Sequence, residues 1–220
     1  MDKVLVICAH PDDETLGPGG TLSLHAIKKD KVSVLIIADG ETSRESHSKI
    51  EIRQKQAVQA CSILGISDVE FLNYPDQKLD SISLLELTKK IKEKILKFNP
   101  SLIYTHYWED LNNDHRRTFE ATAVASRPFK NSKIRKILCF ETPSSTEWSL
   151  ANKSFKPNCF VNIEKVINKK LSALKKYKNE IHSFPHPRSI VSIRNRSRYW
   201  GSISGLKNAE PFMIFREVIQ

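Results

Sequence analysis

The stretch VLVICAHPDDETLGPGG, Val4 to Gly20, runs from an unbroken apolar segment straight into one imidazole and three carboxylates. Six consecutive apolar residues, Val4 to Ala9, read as a strand buried on both faces. Gly17-Pro18-Gly19-Gly20 then reads as a turn into a helix over about Thr21 to Lys29. Between strand and turn, His10, Asp12, Asp13 and Glu14 crowd into five positions. Ionisable groups so close repel and desolvate one another unless a cation or water relieves them.

Outward from this stretch the same rhythm repeats. VSVLIIAD, Val32 to Asp39, reads as a second buried strand, followed by a helix over Ser46 to Leu64 that stops at Gly65. VEFLN is a third strand, and Ser83 to Phe98 an amphipathic helix ended by Asn99-Pro100. SLIYTH, Ser101 to His106, is a fourth strand, followed by a helix from Asp114 to Ser126 and a fifth strand, KILCFET. After Pro143 the pattern is less regular, with a strand at FVNIE, a helix over Lys165 to Ile181 and a last strand at PFMIFREV. The expected fold is α/β: a mostly parallel sheet with helices on both faces and a decorated C-terminal third, all in one domain spanning 1–220. Ligands of such sheets bind beyond the carboxyl ends of the strands. His10 to Glu14 falls there, and so does HYWEDLNNDHRR, His106 to Arg117.

With 40% hydrophobic and 27% charged residues, the composition is that of a soluble globular protein. No apolar run approaches the ~20 residues that cross a bilayer, and the N-terminus lacks the pattern of a signal peptide. Cys8, Cys61, Cys139 and Cys159 are scattered, form no CxxC, and read as free thiols of a cytoplasmic protein. The net charge of +10 could serve nucleic acid, an anionic surface or an anionic small molecule. Its lysines, however, interleave with apolar residues at helical spacing, as in LTKKIKEKILKF, which reads as a solvated helix face. No nucleic-acid motif accompanies them, so no nucleic-acid partner is expected.

His10 and Asp13 sit three apart on a tight turn and can face one point, while Asp12 projects elsewhere. His115, from the second strand end, could complete the set. Two imidazoles and one carboxylate with an open position is the ligand count of a catalytic zinc site, and ferrous iron can share such ligands. Asp12 would then lie near the open position, placed to take a proton from water. Spacing alone leaves a second reading open: Asp114 caps a helix, and both histidines are hydrogen-bonded structural residues. No GxGxxG or GxxxxGK[ST] is present, so the glycines read as a turn rather than a phosphate cradle.

AHPDDETLGPGGTL and HYWEDLNNDH, with RQKQAVQACSILGI, FLNYPDQKL, ETPSSTEW and PHPRS, together resemble the zinc-dependent N-deacetylases of the LmbE-like, or PIG-L, family across nearly the whole chain. The resemblance implies a Rossmann-like fold and hydrolysis of an N-acyl amine, typically the acetamide of a 2-amino sugar. It implies zinc held by His10, Asp13 and His115, with Asp12 as general base. Many relatives carry a histidine three residues before the ligand histidine, where this chain has Asn112. Asn112 can donate a hydrogen bond to an oxyanion but cannot supply a proton. His186, in the proline-flanked PHPRS loop, is the other candidate for that electrophilic role.

Arg53, Asp76 and Arg188 are candidates for contacting a sugar or an anionic substituent, and equally for surface ion pairs. Asp110 and Asp114 are candidates for orienting His115 or the loop, and Glu14 for accepting backbone donors at the turn. The expected substrate is a small amino sugar, with the positive charge favouring an anionic conjugate; nothing selects its aglycone or the oligomeric state. A non-sugar N-acyl amine is the alternative substrate. The rival classes are a non-haem iron oxygenase, whose facial triad usually sits on a β-barrel, and a non-catalytic nucleotide- or anion-binding module.

Overall fold

The computed structural model describes residues 1–44, 49–149 and 154–219. Its strands are β1 (Lys3–Cys8), β2 (Lys31–Ala38), β3 (Asp68–Tyr74), β4 (Leu102–His106), β5 (Lys136–Phe140), β6 (Cys159–Asn162) and β7 (Ala209–Glu217). Its helices are α1 (Asp13–Leu16), α2 (Gly19–Ile27), α3 (Ile50–Leu64), α4 (Leu84–Phe98), α5 (Asn113–Ala125), α6 (Ile167–Leu174) and α7 (Ile190–Ser204). The strands form one sheet in the order β3-β2-β1-β4-β5-β7-β6. The first five are parallel, whereas β7 runs antiparallel to both its neighbours. The expected α/β architecture is therefore the observed one.

Alternation along β1 divides the core. Val4, Val6 and Cys8 face a layer that includes Leu22 of α2, Ala57, Ala60, Cys61 and Leu64 of α3, and Ala173 of α6. Leu5 and Ile7 face Leu87, Ile91 and Ile95 of α4 and Ala121 and Ala125 of α5. Both faces of β1 are thus covered, which is why its sequence shows no polar alternation. In α4 the buried residues recur four apart, leaving most of the lysines in solvent. Ser83 caps that helix by accepting from the Glu86 N–H at 3.1 Å, and Asn99, left-handed at φ 50°, ends it before Pro100.

Most element boundaries fall within two or three residues of the sequence expectation; the expected start of α3 at Ser46 lies outside the described residues. The helix expected over Lys165 to Ile181 is shorter, ending at Leu174. Beyond it the chain continues in turns that bury Tyr177 completely and bring Glu180 inward. α7 is an element the sequence did not predict. Its buried face is Ile193, Ser197 and Gly201, too small and polar for an apolar period to show. Gly201 is required there, since a Cβ would lie 2.5 Å from the Leu206 carbonyl oxygen. No helix among the described residues is long and apolar enough to cross a membrane.

The strand order reverses between β1 and β4, and both segments singled out in the sequence leave the sheet at that reversal. Crevices at such points are where open α/β sheets hold ligands.

Candidate active site

Beyond the ends of β1 and β4, side chains take over from the backbone ladder. The Ala9 N–H donates to His106 Nε2 at 2.9 Å. One residue on, the His10 N–H donates to Asp13 Oδ2 at 2.8 Å, closing the turn. Asp12 lies between them at φ 121°, a region non-glycine residues avoid at a cost of about 1–3 kcal/mol. Glu14 secures the strained residue, accepting the Asp12 N–H at 3.0 Å and the Tyr177 hydroxyl at 2.6 Å, in keeping with its expected role at the turn. Burial pushes the Glu14 carboxyl up to about 7 against these bonds.

His10, Asp13 and His115, all buried, present ligand atoms within 4.8 Å of one another. Asp13 Oδ2 lies 3.5 Å from His10 Nδ1 and 3.5 Å from His115 Nε2. Among the described residues, Asp13 Oδ1 and His115 Nε2 are both buried without a hydrogen-bond partner. Two buried ligand atoms left without partners in one cluster are costly unless something occupies the site. A cation of zinc type fits this donor set. Burial opposes ionisation of Asp13, but His115, His106 and His10 outweigh it and hold the carboxyl well below its usual range.

Each histidine of the set is held from behind. His115 Nδ1 lies 3.0 Å from Asp110 Oδ1, and Asp110 also accepts the hydroxyls of Ser145 and Thr146. Burial raises the Asp110 carboxyl, but His115 and these hydroxyls bring it down to about 2. Asp114 lies against the other ring: His10 Nε2 is 3.1 Å from Asp114 Oδ2 and 3.0 Å from Asp76 Oδ1. Burial lowers the His10 pKa, but Asp114, Asp13 and Asp76 together raise it well above its usual value. A proton on Nε2 leaves Nδ1 for a metal, the arrangement by which outer carboxylates orient ligating histidines. His10, Asp76 and Asp114 themselves have metal-ligand spacing. Their carboxylates are already engaged, however, by the Ser43 hydroxyl and the Gln77 and Leu79 N–H groups. His106, stacked on His115 with centroids 4.0 Å apart, is lowered to about 4 by burial and by His115, so it is neutral.

Asp12 stands outside the ligand set. Its Oδ2 accepts from Arg53 Nη2 at 3.2 Å and Arg188 Nη1 at 3.1 Å. Burial pushes its carboxyl up, the two arginines pull it back, and it settles at about 6. Arg53, itself buried, also donates twice to the Pro11 carbonyl, at 3.1 and 2.8 Å. Behind them lies Glu180, which no sequence pattern announced. It takes a forked pair of bonds from Arg44, at 2.6 and 3.1 Å, one from Arg188 at 3.3 Å, and an ion pair from Arg53. The Arg53–Glu180 approach is close but poorly directed, so Arg53 Nη1 makes no formal hydrogen bond. Burial raises the Glu180 carboxyl, but Arg44 and Arg53 lower it to about 2.

A cavity of about 60 Å³ opens here, lined by Asp12, the three arginines and Glu180, and by His10, Asp76, Gln77 and Asn112. Larger surface depressions lie around Lys3, Ser101 and Arg135, at the opposite ends of the strands, and around Lys92 and Phe129. Asn112 caps α5, its Oδ1 accepting the Asp114 N–H at 2.8 Å, so its amide nitrogen is the end left to donate. His186 is not among the cavity-lining residues. Its ring packs on His182, and its Nδ1 accepts the Arg188 N–H at 3.0 Å, fixing the loop that delivers Arg188.

Known proteins resemble this chain in sequence and in fold. The family model described as PIG-L, GlcNAc-PI de-N-acetylase, matches residues 5–126, and the chain belongs to that family. It is 31% identical over 182 residues to the "uncharacterized deacetylase YaiS" of Escherichia coli K12, covering 80% of this chain and 90% of that protein. It is 26% identical over 222 residues to the diacetylchitobiose deacetylase of Thermococcus kodakarensis, covering 96% and 82%. Among solved structures, the conserved protein TT1542 of Thermus thermophilus shares the fold, with a TM-score of 0.82, 24% identity, and 100% and 97% of the two chains covered. Glu180 and Arg188 lie beyond the residues matched by the family model.

Proposed function

We propose that this protein is a metal-dependent hydrolase that removes the N-acetyl group of a 2-acetamido sugar of the N-acetylglucosamine type, free or in a conjugate. The observation that carries this reading is the buried cluster of His10, Asp13 and His115, two of whose ligand atoms have no described partner, with a raised carboxylate outside the set, Asp12. The names of relatives lend the substrate class: one is a diacetylchitobiose deacetylase, and others are probable N-acetyl-α-D-glucosaminyl L-malate deacetylases.

His10, Asp13 and His115 would hold a zinc-type cation, ferrous iron being the alternative, and that cation supplies Lewis acidity to an amide carbonyl and to water. Asp12, ionised above about pH 6, accepts the proton of the attacking water. Protonated, it returns that proton to the departing amine, without which the C–N bond does not break. Arg53 and Arg188 keep Asp12 Oδ2 oriented throughout. Asn112 lines the cavity, and its amide nitrogen, the end not engaged by the Asp114 N–H, would donate to the tetrahedral oxyanion, a contribution of about 10²–10³ in turnover for such donors. Asp76 and Gln77 offer an acceptor and an amide to sugar hydroxyls. Acetate release from a panel of N-acetylamino sugars tests the assignment, and acetate from none of them contradicts it.

A further inference from the structure

One turn in the C-terminal third reaches both supports of Asp12. After α6 ends at Leu174, the Tyr177 N–H donates to the Leu174 carbonyl at 3.0 Å and the Glu180 N–H to the Tyr177 carbonyl at 3.0 Å. Tyr177 is completely buried, and its hydroxyl donates to Glu14 Oε1 at 2.6 Å. The other Glu14 oxygen accepts the Asp12 N–H. Arg53 sits over the same tyrosine ring, its guanidinium carbon 5.6 Å from the centroid. Arg53 in turn holds Asp12 Oδ2 and pairs with Glu180. Tyr177, like Glu180, lies beyond the residues matched by the family model.

From this we infer that Tyr177 is a positioning residue for Asp12, acting through Glu14 on its backbone and through Arg53 on its carboxylate. The inference rests on Asp12 being the base of the proposed deacetylase and deepens that reading. Asp12, at φ 121°, keeps such a conformation only where its surroundings over-determine it. Glu14 helps to do so, but a carboxylate on a rotatable side chain holds its place only if its second oxygen is tied as well. The Thr15 hydroxyl also reaches that oxygen, yet it belongs to the same short helix and moves with it. Tyr177 comes from 163 positions away and is rooted in the core, so it fixes Glu14 against the rest of the fold. Packing alone would be served by phenylalanine, which fills the same space and offers Arg53 the same ring face. The hydroxyl adds the bond to Glu14, and a buried hydroxyl is costly unless it makes one. A base must lie within hydrogen-bond reach of the water it deprotonates, and a displacement of about 1 Å costs about a hundredfold in rate.

The test is a double-substitution cycle on the metal-loaded protein: wild type, Tyr177→Phe, Asp12→Asn and the two combined, each with a melting curve and a metal content. Positioning predicts that Tyr177→Phe lowers kcat by about tenfold to a hundredfold, with KM and metal content unchanged. In the Asp12→Asn background the same substitution should change kcat by less than about twofold, since a residue acting through the base has nothing left to act on. A tyrosine that serves packing alone gives a different pattern. A lower melting temperature with kcat unchanged, or an equal loss of kcat in both backgrounds, overturns the inference while leaving deacetylation standing. If wild type releases acetate from no N-acetylamino sugar, the deacetylase reading fails, and crystal structures of wild type and Tyr177→Phe decide the positioning of Asp12 by themselves. An Asp12 that leaves φ 121° or its bond to Arg53 in the variant supports it, and an unmoved Asp12 overturns it.

Discussion

Arg188 and Asp12 stand 176 residues apart in the chain and meet at 3.1 Å, Nη1 to Oδ2. The contact joins the C-terminal third to the turn after the first strand, and it sets the electrostatics of the residue proposed as base. Burial pushes the Asp12 carboxyl up, and Arg188 and Arg53 pull it back to about 6. The base is thereby ionised near pH 7 yet remains a better proton acceptor than a solvated aspartate.

The first expectation is a pH profile. Asp12 must be ionised to take a proton, so kcat/KM should climb as pH rises through about 6 and level off above it. Arg188→Met removes a neighbour that favours the ionised form, so the rising limb should move to higher pH. A limb unmoved by that substitution would place the titration elsewhere.

Asp110→Asn tests the support behind His115. The substitution replaces a carboxylate 3.0 Å from His115 Nδ1 with a neutral amide. Losing such a partner typically costs about 10–100-fold in metal affinity, which competition with a chelator reads directly. Equal affinity in both proteins would remove Asp110 from the metal's support.

Glu180→Ala tests the arginine anchor through stability. Removing the carboxylate leaves Arg53, 3% exposed, with fewer counter-charges. Breaking a buried pair in this way costs about 3–5 kcal/mol, measured as a shift in the denaturant midpoint. A loss below about 1 kcal/mol would show that Asp12, Glu41 and the Pro11 carbonyl suffice for Arg53.

Legibility in the sequence followed the range of the interactions. β1 and β2 were readable because strands covered on both faces need continuous apolar residues, and Ser83 and Gly65 mark helix ends by local chemistry. His10, Asp12 and Asp13 lie on one turn after β1, and His115 lies in the first turn of α5, the helix that follows the neighbouring strand β4, so the strand-end rule placed them together. Glu180 left no trace, because its bond to Arg44 spans 136 positions and answers to no period or motif. Asp114, read as orienting His115 or the loop, meets His10 and two backbone N–H groups, those of Gln77 and Leu79. α7 escaped because Ser197 and Gly201 pack by close approach rather than by apolar bulk.

The central claim is a metal-dependent deacetylase that uses Asp12 as its base, and one paired measurement tests it most directly. Bound metal and acetate release from N-acetylamino sugars are quantified for wild type and Asp12→Asn prepared side by side. The account predicts about one zinc-type cation per chain in both proteins. It predicts acetate released by wild type and turnover lowered by about 10²–10⁴ in the variant. A chain that takes up no metal even when zinc is supplied, or a metal-loaded Asp12→Asn with undiminished turnover, would contradict it.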